Sequence, residues 1–247
     1  MNSDLNSTAT EMTAPGKTAL RTSAFRYSAV QLLGSLLLLF VAAPFLEDIP
    51  GGDLVEAVLM SLVMVLGVLA VGGRRRVLAF ALLLVVPTLA AKWGNHVRPN
   101  LVPPEIYLAF SVSFFCFMIV QLLRYILRAP RVDANVLCAG VSGYLLLGLL
   151  WVPAFVLVAR ISPASFAISA GQGGVSEMRD FNAFYFSFST LTTVGYGDIT
   201  AVSKVARMLA MMEAITGVFY MALLISRLVS AYSNVHPSGS DESIIKT

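Results

Sequence analysis

The chain has 247 residues, of which 57% are hydrophobic and 13% charged, with a formal net charge of +3 and a mean hydropathy of +0.79. Soluble domains carry roughly 25% charged residues, so water is not the solvent for most of this surface, and a soluble globular core is excluded. The two cysteines, Cys116 and Cys138, suggest neither a disulfide nor a metal site, and no CxxC, HExxH, GxSxG or Walker-type pattern proposes an enzyme.

Residues 1–24 are rich in Ser, Thr and Ala, lack an apolar stripe and read as a disordered tail rather than a secretory signal. Five windows without Asp, Glu, Lys or Arg follow, at 27–46, 57–73, 77–91, 106–123 and 134–159; a sixth, 208–226, holds one acid, Glu213. A helix needs about 20 apolar residues to cross the hydrocarbon, within a range of roughly 17–25. The third window is short, but Arg76 and Lys92 can snorkel from its ends. The expected fold is an all-α membrane protein with six transmembrane helices. Pro44, Pro87 and Pro153 read as tolerated kinks or helix ends. His96 is expected in an outer loop beside Trp93. The stretch AGQGGVS (170–176) is read as a flexible outer loop, and residues 233–247 as a short polar tail; neither tail is expected to hold a regulatory domain.

Lys and Arg accumulate on the cytoplasmic side of membrane proteins. With the N-terminus inside, eleven of the 17 basic residues fall inside and six outside, and GGRRRV between helices two and three is the clearest anchor. Both termini are therefore expected in the cytoplasm, in the cell membrane.

On the outer side, between helices five and six, RDFNAFYFSFSTLTT is apolar and aromatic for about 12 residues, too short to span and long enough for a re-entrant element. Asp180 is placed to cap a helix starting at Phe181. Gly-rich TLTTVGYGDIT follows. Non-helical backbone at membrane depth is tolerated only where protein buries it or where it lines a watery cavity, which suggests a pore lining.

TTVGYGD, Thr192–Asp198, resembles the selectivity filter of potassium channels of the tetrameric pore-loop superfamily, in a six-transmembrane layout of prokaryotic type. The resemblance covers roughly residues 134–232. It implies a homotetramer, since one chain holds a single filter, and passive conduction of K⁺ as the permeant ion with no organic cofactor. The carbonyls of Thr193, Val194, Gly195 and Tyr196, with the Thr193 hydroxyl, would face the shared axis. Gly195 and Gly197 would supply backbone conformations that a Cβ forbids. Asp198, with Glu177 and Asp180 nearby, would make a negative outer mouth. Thr192, Ser189, Glu213, Tyr185 and Phe186 would support the filter, the last two from behind Tyr196. Gly217, 21 residues after Tyr196, matches the family's inner-helix hinge, and helical spacing from it puts Val218, Met221, Ile225 and Val229 towards the cavity. Two departures stand out: Ala201 where many relatives have proline, and Ser189 where some carry a glutamate.

The implied division is a tail (1–24), a four-helix bundle (25–131), a pore domain (132–232) and a tail (233–247). The bundle occupies the place of a voltage sensor, but 106–123 carries no charge, and Arg124, Arg128 and Arg131 sit where the positive-inside rule already explains them. Classical voltage gating is therefore not expected. The expected partners are membrane lipids, K⁺ and three further copies of the chain, with no nucleic acid. Glu213, the one formal charge inside helix six, shares a face with Gly217. It is expected protonated or hydrogen-bonded near Ser187, Ser189 or Thr192. A transporter subunit with a channel-like filter, and a membrane receptor or enzyme with a vestigial one, are the competing readings.

Overall fold

The computed structural model describes residues 17–46, 49–71, 75–98, 101–129, 133–169, 178 and 180–233. The main elements are α1 (Lys17–Leu46), α2 (Gly52–Val71), α3 (Arg75–Val97), α4 (Pro104–Arg128), α5 (Ala134–Ile161), β1 (Phe166–Ile168), α6 (Asp180–Leu191), β2 (Ile199–Ala201) and α7 (Lys204–Ser233). Six of these helices are long and apolar enough to cross a membrane, and α6, with 12 residues, is not. The chain is a multi-pass membrane protein of the expected all-α class. Helical backbone begins at Lys17, inside the stretch read as tail.

Two more differences from the sequence reading have physical causes. The third helix runs on to Val97, so Trp93 and His96 lie in its last turns rather than in a loop, their rings 6.2 Å apart. Lys92 Nζ pairs with Glu56 Oε1 of α2 at 3.1 Å, a partner 36 residues away that local pattern cannot reveal. The second difference is a small antiparallel ribbon in which Phe166 faces Ala201, Ala167 faces Thr200 and Ile168 faces Ile199. Three-residue strands are too short to leave a period-two signal.

Burial in α4 falls on Leu108, Ser111, Phe115, Met118, Leu122 and Ile126, a three-to-four spacing that turns one face of the helix inward. It packs along α5, and α1 packs against both α2 and α5. The bundle also reaches the re-entrant helix of its own chain: the Phe40 ring of α1 lies 5.3 Å from that of Phe184 and 5.1 Å from that of Phe188. The connection from α4 to α5, residues 129–133, spans at most about 18 Å when fully extended. The four helices are thus tethered closely to their own pore module.

Glycines on α5 let side chains of α7 and α6 come close. A Cβ on Gly140 would lie 2.8 Å from Leu224 Cδ1, and one on Gly148 would lie 2.5 Å from Phe188 Cζ. A Cβ on Gly143 would run into the Tyr220 hydroxyl, which donates to Gly140 O at 2.8 Å. Close helix approach of this kind is how membrane helices gain packing where lipid removes the hydrophobic driving force.

Candidate pore loop

The segment between α5 and α7 leaves and returns at one end of the molecule. Val202 N–H and Ser203 N–H both donate to Ser165 O, at 2.8 and 3.2 Å, and Ser169 N–H donates to Asp198 O at 2.8 Å. Inside this closed loop α6 packs between α5 and α7. It is the re-entrant helix expected from the sequence, with Asp180 as its first residue.

A helix leaves its last four carbonyls without intrahelical partners; in α6 the following residues take up three and α5 reaches the fourth. Thr192 N–H donates to Phe188 O at 3.1 Å, and Thr193 N–H to Thr190 O at 2.9 Å. Ser189 O accepts from both Val194 N–H (2.9 Å) and Gly195 N–H (3.1 Å). The Tyr144 hydroxyl of α5 reaches Leu191 O at 3.5 Å.

These bonds fix where the carbonyls point. All described peptide bonds are trans, and in a trans peptide the N–H and C=O are antiparallel. With the amides of Thr193, Val194 and Gly195 turned towards α6, the carbonyls of Thr192, Thr193 and Val194 point the opposite way. An ordinary strand would alternate them. The backbone achieves the repeat by changing handedness at every second residue: φ is +61° at Thr193, +55° at Gly195 and +85° at Gly197. Glycine reaches this region without strain; Thr193, β-branched, costs of order 1–3 kcal/mol there. Successive residues of opposite handedness bring N–H groups together on one side, which leaves carbonyls together on the other. The C-terminal end of α6 adds its negative dipole. The resulting edge is exposed: Val194 is 54% and Tyr196 74% accessible in the single chain.

The supporting residues divide. The Tyr185 ring stacks on Tyr196, centroids 6.2 Å apart and planes 11° apart, and its hydroxyl hydrogen-bonds Asp198. Asp198 Oδ1 also accepts from Ile199 N–H at 3.1 Å. Phe186, expected beside Tyr185, instead packs against Phe155 (4.9 Å) and Phe166 (5.5 Å) on the far side of α6. One residue further along a helix turns the side chain by about 100°. Thr192 and Ser189 use their hydroxyls locally, on Phe188 O and Phe186 O. It is the Ser189 carbonyl, not its side chain, that holds the extended stretch. Glu213, fully buried, meets Ser187 (2.6 Å) of the three hydroxyls expected. Glu177 and the side chain of Asp180 lie outside the described residues, as does the 170–176 stretch.

Gly217 faces α6: a Cβ there would stand 2.7 Å from Leu191 O and 2.8 Å from Leu191 Cδ1. Val218, Met221, Ile225 and Val229 are exposed on another face of α7, away from the buried Glu213, Gly217, Tyr220 and Leu224. Sequence reasoning missed Arg227 as a contact. It was read only as a cytoplasmic charge, yet its guanidinium donates to Ala129 O and, at 3.4 Å, to Ile126 O at the end of α4. It missed the ribbon and the role of Ser187 as a three-way junction. It also missed Gly140, Gly143 and Gly148, for which small-residue spacing along helix five would have been the signal.

Residues 143–234 match the ion-channel family. The chain is 34% identical over 80 residues to the calcium-gated potassium channel TvoK of Thermoplasma volcanium, covering 32% of this chain and 23% of that one. It is 30% identical over 156 residues to the voltage-gated potassium channel Kch of Escherichia coli, 60% of this chain and 31% of that one. Against two-pore potassium channel 4 of Arabidopsis thaliana it is 36% identical over 66 residues, 27% of this chain and 23% of that one. The chain thus spans between about a quarter and a third of the length of these relatives, all of them channels rather than enzymes. No solved structure gives a significant match. The matched stretch holds α6, the outward-turned carbonyls of Thr192, Thr193 and Val194 and most of α7, and there the chain is similar to pore-loop potassium channels.

Proposed function

We propose that the protein is a potassium-selective channel in which four identical chains join their Thr193–Gly197 edges around one axis. The observation that carries this reading is the run of carbonyls at Thr192, Thr193 and Val194 turned away from α6. Neutral, fixed oxygens can replace the hydration shell of K⁺ without binding it as tightly as a carboxylate would. One chain supplies only one wall of such a site. The exposure of Val194 and Tyr196, and of Val218, Ile225 and Val229 on α7, is apolar surface that three further copies and lipid would cover. In this reading Val218, Met221, Ile225 and Val229 line the inner cavity, Asp198 contributes to the outer mouth, and K⁺ passes as cargo down its own gradient.

The opening stimulus is not the membrane field acting on α4, since residues 106–123 carry no charge to move. In this reading both termini lie in the cytoplasm, which the excess of Lys and Arg on that side supports. Single-channel recording after reconstitution into planar bilayers tests this reading. Discrete, ohmic, K⁺-carried steps are expected. A slow saturating flux would support a transporter subunit, and no current under any driving force would overturn the channel reading.

A further inference from the structure

Glu213 lies on the buried face of α7, with 0% of its surface accessible. Its Oε1 is 2.6 Å from Ser187 Oγ of α6, and the same Ser187 Oγ is 2.8 Å from Gly148 O of α5. A serine hydroxyl carries one proton, and a backbone carbonyl can only accept. If Ser187 gave its proton to a Glu213 carboxylate, its contact with Gly148 O would be two lone pairs face to face. If Ser187 donates to Gly148 O, the proton in the 2.6 Å contact must come from Glu213.

The surroundings agree with the second assignment. Glu213 Oε2 is buried with no hydrogen-bond partner, tolerable for the carbonyl oxygen of a neutral acid and very costly for half of a carboxylate. Among the described residues no Lys, Arg or His pairs with it. From α5 the titratable group facing it is the Tyr144 hydroxyl, directed at Leu191 O. From α6 it meets the uncharged Ser187, while Tyr185 is engaged by Asp198. On α7 itself Tyr220 donates to Gly140 O and Arg207 to Ala201 O.

We propose that Glu213 is held as a neutral carboxylic acid that donates to Ser187, forming a relay from α7 through α6 to α5 that positions the filter edge. Two residues beyond Ser187, Ser189 O holds the amides of Val194 and Gly195. A shift of α6 at the relay therefore moves the carbonyls that face the ion path. Glu213 is a positioning residue: it touches neither ion nor filter. The positioning step rests on the potassium-filter reading; the protonation state does not.

Infrared difference spectroscopy of the wild type against Glu213→Gln, in H₂O and D₂O, reads the protonation state without requiring conduction. A protonated-carboxyl C=O band present in the wild type and absent from the variant is expected; no such band overturns the proposal. The K⁺/Na⁺ permeability ratio in proteoliposomes reads the positioning. Glu213→Gln keeps a donor of the same length and should leave the ratio unchanged, whereas Glu213→Leu should lower it about tenfold, the worth of one lost hydrogen bond. Ser187→Ala, a smaller change, provides the same test should the leucine variant not assemble. An unchanged ratio in Ser187→Ala or Glu213→Leu overturns the positioning role. If no variant nor the wild type conducts, the channel reading has failed, while the infrared result still decides whether Glu213 is a neutral acid.

Discussion

Replacing Gly217 by alanine separates two reasons for having glycine in the inner helix. As a hinge, Gly217 would lend flexibility, and alanine would stiffen α7 without disturbing the resting packing. The contacts supply a second reason, packing. A Cβ at this position would lie 2.7 Å from Leu191 O, a backbone atom at the end of α6, where carbon–oxygen contacts ordinarily stand at about 3.3–3.6 Å. Relief takes a separation of roughly half an ångström or more between α7 and α6. Overpacking of this kind typically costs 1–3 kcal/mol, and here it falls on the helix whose carbonyls hold the filter amides. Gly217→Ala should therefore lower the thermal unfolding midpoint in detergent and disturb ion selectivity. Removing Leu191 Cδ1 with Leu191→Ala should not rescue it, because the backbone oxygen remains. Unchanged stability and selectivity, with only opening kinetics altered, would refute the packing account and favour the hinge.

Gly143→Ala should destabilise the α5–α7 contact by about 1–3 kcal/mol, and Tyr220→Phe, which removes the donor to Gly140 O, by about 1 kcal/mol. Because the added methyl meets the Tyr220 hydroxyl, the double variant should lose less than the sum, and strict additivity in thermal shift would count against the contact. Asp198→Asn should reduce conductance most at low salt, where screening is weak. Tyr185→Phe should reproduce only the part that salt does not remove, since it deletes the hydroxyl bonded to Asp198 and leaves the charge; a fall independent of salt in Asp198→Asn would make its role purely structural. In a background lacking Cys116 and Cys138, a Phe40→Cys, Phe188→Cys pair should be bridged within one chain by a short bifunctional thiol crosslinker and migrate as a monomer. Dimers and higher ladders would mean that the bundle docks on a neighbouring subunit.

What was legible in the sequence was what solvent and local chemistry dictate. Five uncharged windows and a sixth with a single acid, Glu213, gave six spans because a bilayer tolerates little else, and a 12-residue aromatic stretch between polar loops gave α6 because it was too short to cross. The roles of Gly195 and Gly197 were legible through the resemblance of TTVGYGD to a potassium-channel filter, and both have positive φ. Departures came where a partner distant in sequence decides. Lys92 pairs with Glu56 of α2, and α3 runs on to Val97. Residues 166–168 became a strand only because 199–201 lay beside them. Tyr185 and Phe186 were both assigned to the filter on aromatic character, but adjacent residues on a helix face different neighbours, and the register of α6 was not readable from composition. Glu213 was expected near Ser187, Ser189 or Thr192; its contact is with Ser187, which also reaches Gly148 O of α5. The Ala201 departure has a structural answer too: the ribbon bonds at Ser165 and Ser169 tie down the filter exit without a proline.

The central claim is that the Thr193–Gly197 edge conducts K⁺ in preference to Na⁺. Reversal potentials in planar bilayers, with K⁺ on one side and Na⁺ on the other, measure it directly. The account predicts a potential displaced far towards the K⁺ equilibrium value, lost in Gly195→Ala because the added Cβ opposes the positive φ at that position. A reversal at zero millivolts in the wild type, with K⁺ and Na⁺ passing equally, would contradict it.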